Sequence, residues 1–151
     1  MNTAKKTLLG LLRLAMGWIF FWPFLDKVFG LGFATTVEKS WMSGGSPTYG
    51  FLTFGTKGPF AEFFQSLAGN AIVDWVFMTG LLCIGICLIL GIFVKIASVF
   101  GMVMLMLMYF AVIPPEHKPI IDEHIVYSCL LLLRGTSHAG KYFGLGKAWS
   151  S

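Results

Sequence analysis

Ionisable side chains interrupt two of the apolar segments in this chain of 151 residues. The segment IIDEHIVYSCLLLLRG, residues 120–135, has only nine uncharged residues between His124 and Arg134. Nine helical residues make about 13.5 Å, against about 30 Å of bilayer hydrocarbon. The apolar segment at residues 7–29 likewise contains Arg13, Asp26 and Lys27. Charges at membrane depth are unfavourable and usually face the protein interior, so these positions are candidates for function.

Helical spacing gathers these charges on one face of each segment. At 100° per residue, Arg13 and Lys27 return to the same face of the first helix. On the last helix, Glu123, Tyr127 and Arg134 share one stripe. We therefore predict that the first and last helices adjoin, with a pocket between them.

The two ends of this predicted interface differ in charge. Opposite charges at the outer end would offset the cost of burial, and the residues expected to meet there are Lys27, Asp26, Asp122, Glu123 and His124. At the inner end Arg13 and Arg134 have no acidic partner on their side, so they could bind an anionic or carbonyl-bearing ligand. The alternative is that both arginines extend to lipid phosphates without any specific function.

Acidic and histidine residues cluster before and at the start of the last helix. The members of this cluster are Glu116, His117, Asp122, Glu123 and His124. One interpretation is helix capping and ion pairing, and another is a proton or quinone site, because histidine titrates near neutral pH. Adjacent members point in different directions on a helix, so we predict no metal site.

The composition indicates a membrane protein that forms a single domain, residues 1–151. The chain is 56% hydrophobic and 12% charged, whereas soluble domains are about 25% charged. Two uncharged runs, 75–94 and 96–113, are long enough to span a bilayer, and Lys95 between them predicts the turn of a helical hairpin. The predicted fold is an all-α, four-helix transmembrane bundle with helices at about 7–29, 72–94, 96–113 and 120–137.

The long connection between the first two helices, residues 30–70, is expected to carry short interfacial helices. ATTVEKSWMSGG is one candidate, ended by Gly44 and Gly45. GTKGPFAEFFQSLAG is the other, with Pro59 at its first helical position and Gly69 at its end. This outer loop is a candidate lid over the bundle, although it could equally well only cover the helix ends.

The distribution of charge predicts the orientation. With both termini cytoplasmic, seven of the eleven basic residues lie on the inner side and all seven acidic residues on the outer side. We therefore expect a multi-pass protein of the cell membrane, in contact with lipid. The first apolar run is longer than that of a signal peptide, so we expect it to be retained. Topology accounts for the net charge of +4, and we predict no nucleic-acid partner.

The sulfur-containing side chains are expected to act as packing residues. Cys83 and Cys87 are four residues apart in apolar sequence, where a thiol behaves as a small hydrophobe. Cys129 lies on the last helix. The run of alternating methionines at 102–108 is interpreted in the same way, as packing or lipid-facing material.

Several segments together resemble a known family. They are LLRLAMGWIFFWPFLDKVFGLGF, GGSPTYGFL, GTKGPFAEFF, DWVFMTGLLCIGICLILGIFVKIAS, PPEHKPIIDEHIVYSCLLLL and AGKYFGLGKAW. In this order, over nearly the whole chain, they resemble the DoxX/DoxD family of small four-helix membrane proteins. The DoxD type is the small membrane subunit of thiosulfate:quinone oxidoreductase. The resemblance implies a membrane component that passes two electrons from thiosulfate to quinone and yields tetrathionate, normally with a second subunit.

The resemblance also directs attention to the polar residues of the matching segments. We predict catalytic roles for Arg13, Lys27 and His124. The residues predicted to contact the quinone substrate are Asp26, Asp122, Glu123, Tyr127 and Arg134. The sequence lacks haem, flavin and iron–sulfur motifs, so we predict no bound metal or flavin.

Fold is transferred between relatives more safely than reaction, so other functions stay open. A second protein subunit or a homo-oligomer is the expected partner. The alternative function is a non-catalytic membrane scaffold or partner subunit of a redox complex, in which the same charges only hold helices together. A small transporter is disfavoured, because Phe and Leu occupy the middle of both polar helices.

Overall fold

The computed structural model describes residues 3–115 and 120–136, with side chains on the last helix as far as Leu133. These residues are helical or irregular and contain no β-strand. The α-helices among them are α1 (Thr3–Phe29), α2 (Ala61–Ser66), α3 (Ala71–Leu90), α4 (Val94–Ala111) and α5 (Glu123–Thr136).

Three helices, α1, α3 and α4, are long and apolar enough to cross a membrane. For the part of the chain that the structure describes, this confirms the prediction of an all-helical protein with membrane-spanning character. Helix α5 is apolar but has only 14 residues, or about 21 Å of helix.

One apolar core joins α1, α3, α4 and α5. Its buried members include Met16 and Phe20 of α1, Met78 of α3, Leu105 of α4 and Leu131 of α5. The helices meet most closely at a glycine of α4, since a Cβ atom at Gly101 would lie 2.9 Å from Leu131, 3.2 Å from Phe20 and 3.3 Å from Ile84.

The principal neighbour of α1 is α3, and the principal neighbour of α5 is α4; α1 and α5 touch over a smaller area. Small residues explain the first pairing. A Cβ atom on Gly17 of α1 would lie 2.7 Å from Cγ1 of Ile89, and one on Gly85 of α3 would lie 2.9 Å from the backbone nitrogen of Phe21. The two backbones therefore approach each other as only glycine allows.

The turn between α3 and α4 differs from the prediction. Helix α3 ends at Gly91, which adopts left-handed backbone angles (φ 76°) and donates its N–H to the carbonyl oxygen of Cys87. Phe93 is also left-handed (φ 46°) and precedes α4. The turn thus occupies residues 91–93, and Lys95, predicted to mark it, lies in the first turn of α4.

The loop between α1 and α3 contains short turns of helix. The first predicted helix is two 3-10 turns, Val37–Lys39 and Trp41–Ser43, because Ser40 between them is extended and caps the second turn with its hydroxyl. Gly44 ends that turn in a left-handed conformation, as predicted. The second predicted helix is a 3-10 turn containing Pro59 followed by α2.

The loop is attached to the C-terminal end of α4. The backbone N–H of Lys57 donates to the carbonyl oxygen of Ala111 at 2.8 Å. Gly58 (φ 75°) packs so closely on the carbonyl of Ile113 that a Cβ atom there would overlap it. This contact fixes the loop across the end of the helix.

Candidate functional site

Asp26 of α1 closes the turn into the loop. Its side chain is 2% exposed, and its carboxylate accepts hydrogen bonds from the backbone N–H groups of Phe33 at 3.1 Å and Ala34 at 2.9 Å. Backbone donors in the loop are thereby satisfied within the protein. Asp26 was predicted to contact the quinone, but its carboxylate bonds the backbone of the following loop.

Lys27 is half-buried near two carboxylates, one on α1 and the other on α3. Its charged neighbours are Asp26 and Asp74. The prediction had placed Lys27 against acids of the last helix, but the carboxylate that acts on its charge from another helix is that of Asp74. The reason is the close approach of α1 to α3 described above.

Asp74, in the first turn of α3, was missed by the sequence analysis. It is 6% exposed and accepts hydrogen bonds from the Ser46 hydroxyl at 2.9 Å, the Thr48 backbone N–H at 3.1 Å and the Thr48 hydroxyl. The available signal was that Asp74 is the one charged residue in α3. Its partners could not be read from spacing, because they lie in an irregular loop more than 25 residues earlier.

A groove of about 810 Å³ runs between α3 and α4. Lys27 and Thr48 lie at the end of the groove nearest the loop, and Cys87, Phe93 and Ile96 lie at the opposite end. Among the described residues that line the groove, Lys27 is the one with a charged side chain. The loop roofs its own end of the groove through Pro47, Thr48, Phe51, Leu52, Phe64 and Leu67.

One side of the groove opens on the outer surface of the helices. Val76 of α3 is 68% exposed, and Phe100 and Val103 of α4 are 63% and 47% exposed, while all three line the groove. Cys83 is exposed in the same wall, whereas the exposed Cys129 of α5 lies outside it. A ligand in the groove would therefore be partly exposed at the surface of α3 and α4.

Arg13 lies in the N-terminal half of α1, far from Lys27. The two are fourteen residues apart, which is about 21 Å along the helix. The Arg13 side chain is 0% exposed and lies one turn before Gly17, which packs on Ile89 near the C-terminal end of α3. Arg13 and Lys27 thus lie too far apart to contact one headgroup together. The side chain of Arg134, the predicted counterpart of Arg13, lies outside the described residues.

Asp122 caps the start of α5, which confirms the capping interpretation for this residue. Its carboxylate accepts from the backbone N–H groups of His124 at 3.0 Å and Ile125 at 3.3 Å, and lies 2.6 Å from Nδ1 of His124. Burial raises the pKa of Asp122, but the hydrogen bonds from His124 and Ile125 outweigh burial and hold that pKa below its ordinary value of 3.8.

The interior face of α5 differs from the predicted stripe. Glu123, predicted to face the interior, is exposed. The interior face instead carries Ser128 and Leu131, with Tyr127 partly buried against the core. The reason is that Asp122 occupies the capping position, which turns the next residue outward. Glu116 and His117 of the predicted cluster lie outside the described residues.

Comparisons with protein-family models, with curated proteins and with solved structures found no match for this chain. The resemblance to the DoxX/DoxD family therefore stays a prediction based on its sequence segments.

Proposed function

We propose that this protein is a membrane component of a quinone-linked oxidoreductase, with the quinone bound in the groove between α3 and α4 and its headgroup beside Lys27. The observation that carries the proposal is the groove itself. Its volume of about 810 Å³ lies in the range of small-molecule sites, about 300–1,000 Å³. Its walls are mainly apolar, and one cation lies at its outer end. That combination matches a ligand with a carbonyl headgroup and an apolar tail.

Lys27 supplies the chemistry that a quinone headgroup requires. Reduction of the quinone adds two electrons and two protons and places negative charge on the carbonyl oxygens as the electrons arrive. An ammonium group that donates a hydrogen bond to such an oxygen stabilises that charge. The carboxylates of Asp26 and Asp74 lie near enough to favour the charged form of this ammonium group.

The electrons come, in this proposal, from thiosulfate: two thiosulfate ions lose two electrons and join through a new S–S bond as tetrathionate. A second protein subunit delivers these electrons, since the chain carries no motif for a redox centre of its own. Arg13 is about 21 Å from Lys27 along α1 and does not share the headgroup with it. Neither Arg13 nor His124 is among the described residues that line the groove, so this proposal gives neither of them a direct contact with the headgroup.

The proposal includes a membrane arrangement. Helix α5 is the fourth span beside α1, α3 and α4, and both termini are cytoplasmic. The loop and α2 then lie at the outer membrane interface, which suits exposed aromatic residues such as Phe54 and Phe63. All acidic residues fall on the outer side in this arrangement.

Replacing Lys27 by methionine tests the proposal. Lys27→Met keeps the length of the side chain and removes its charge. A hydrogen bond to a charged group contributes about 1.5–3 kcal/mol, so we expect thiosulfate-dependent quinone reduction to fall by about tenfold to a hundredfold. The assay uses protein purified with its membrane partners and reconstituted in vesicles. Lys39→Met, at an exposed lysine in the loop after α1, is the matched control. Equal rates for both variants would refute the headgroup site.

A non-catalytic scaffold is the second candidate, and one observation favours it. Asp26, Asp74 and Asp122 all use their carboxylates to hold their own chain. A scaffold requires a stable partner, so mild solubilisation of the native membrane should recover one in stoichiometric amount, with activity unchanged in Lys27→Met. Repeated isolation of the chain alone or as a homo-oligomer would count against this candidate.

A further inference from the structure

We infer that the tail of the quinone lies along the length of the groove between α3 and α4, and that the ligand enters this groove sideways from the membrane. The inference depends on the proposed function for the identity of the headgroup. It adds a requirement for a long apolar tail and a route of entry.

The length of the groove indicates a tail. Its lining extends along α3 from Ile72 to Cys87, fifteen residues or about 22 Å. The hydrocarbon layer of a bilayer is about 30 Å thick, so the groove follows most of that depth. A headgroup beside Lys27 fills only the outer end, and the remaining walls are apolar residues such as Met104 and Phe100.

The attachment of the roof indicates the route. Asp74 holds Ser46 and Thr48 at the outer end of α3, and the N–H of Lys57 is bonded to Ala111 at the outer end of α4. The loop is thus bonded to both walls of the groove at its outer end. The open side is formed by exposed apolar residues, Val76, Phe100 and Val103 among them, which is the side that faces lipid when α3 and α4 span the membrane.

The middle of the groove accommodates a tail by movement of one flexible side chain. Gly80 of α3 faces Met104 of α4, and a Cβ atom at Gly80 would lie 2.6 Å from the methionine methyl carbon. Methionine is unbranched and readily changes its conformation to fit a neighbour. A tail lying past Gly80 therefore displaces the end of Met104 and leaves the helix backbones in place.

Two exposed cysteines provide a matched pair of test positions. Cys83 lies in the wall of the groove, one turn after Gly80, and Cys129 lies on α5 outside the lining. Cys83→Trp fills the groove with a large side chain, and Cys129→Trp places the same side chain elsewhere on the membrane surface. The probe is a quinone whose isoprenoid tail carries a photoreactive diazirine near its end, incorporated into phosphatidylcholine vesicles with the protein.

We expect the probe to label the α3 and α4 peptides that contain Cys87, Phe93 and Ile96. Because a large side chain in the groove opposes binding of the tail, Cys83→Trp should reduce this labelling about tenfold. Labelling of Cys129→Trp should stay at the wild-type level. If Cys83→Trp does not give a monodisperse protein, Val76→Trp at another exposed lining position replaces it. Equal labelling of groove and control variants, or labelling confined to α1 and α5, overturns the inference.

A phospholipid with the same photoreactive tail separates this inference from the proposed function. If the quinone labels the groove and the phospholipid does not compete this labelling away, the result supports both the tail placement and the proposed function. Labelling by the phospholipid that the quinone fails to displace overturns the quinone as occupant, and the proposed function with it. If Lys27→Met loses thiosulfate-dependent reduction but the groove variants do not change labelling by the tail, only the tail placement is overturned.

Discussion

Asp74 offers the sharpest test of how the outer loop is held. The change is Asp74→Ala. It removes a carboxylate that is 6% exposed, accepts three hydrogen bonds from Ser46 and Thr48, and favours the charged form of Lys27. The variant leaves a buried backbone N–H at Thr48 without its acceptor and a half-buried ammonium with one carboxylate neighbour fewer.

The magnitude follows from the cost of breaking a buried hydrogen bond. Leaving a buried hydrogen-bond donor without its acceptor costs about 1–3 kcal/mol. For a chain of this size, about 1 kcal/mol corresponds to about 2–4 °C in the unfolding midpoint. We therefore expect the midpoint of Asp74→Ala to fall by about 2–12 °C. Asp74→Asn keeps an acceptor oxygen but loses the charge. Its unfolding midpoint should lie between those of the wild-type protein and Asp74→Ala.

The measurement is thermal unfolding in detergent, followed by circular dichroism at one fixed scan rate because membrane proteins often unfold irreversibly. Glu62→Ala is the control, since Glu62 is an exposed carboxylate of α2 in the same loop. A double-mutant cycle of Asp74→Asn with Thr48→Val isolates the contact, because directly bonded residues should show a coupling energy of about 0.5–3 kcal/mol. Additive effects in the cycle, or a midpoint no lower than that of Glu62→Ala, would show that Asp74 does not anchor the loop.

Three further predictions concern packing, pH and orientation. Gly85→Val should lower the free energy of unfolding by about 1–3 kcal/mol, because its side chain would meet the backbone of Phe21. Gly80→Ala would meet only the flexible end of Met104 and should lower it less. Denaturation in detergent compares the two variants. Asp122→Ala should cost about 0.5–2 kcal/mol at neutral pH as the loss of a helix cap. Because the folded-state pKa of Asp122 lies below 3.8, its contribution is complete above pH 3.8 and disappears as the pH falls through the lower folded value, so the two proteins should converge in strongly acidic buffer. A cysteine at Ser43 should react with an impermeant thiol reagent from outside and one at Ser150 should not, in a background without native cysteines; the reverse pattern would invert the proposed orientation.

Hydropathy predicted the long helices, because a run of apolar residues long enough to cross a bilayer has few other structures available to it. Helix ends were predicted less well. The end of α3 was expected after residue 90 because residues 91–94 are apolar, but Gly91 and Phe93 adopt left-handed angles that end the helix. Composition does not distinguish an apolar turn from an apolar helix.

The arrangement of the site depended on which helices are neighbours, and charge placement alone was a poor guide to that. Lys27 was expected to meet acids of α5, but the glycines at positions 17 and 85 bring α1 against α3 and hence against Asp74. Those glycines were the available signal, since small residues mark close helix crossings in membranes. The roles of Asp26 and Asp122 required coordinates, because each carboxylate bonds backbone N–H groups whose positions depend on local loop geometry.

Helices α3 and α4 are connected at both ends. At one end the loop bonds to Asp74 of α3 and to Ala111 of α4, and at the other end the turn at residues 91–93 joins the two helices directly. We therefore expect the side chains that line the groove to determine its width. Single substitutions at positions such as Gly80 and Met104 are therefore expected to change which molecules fit while the scaffold keeps its shape.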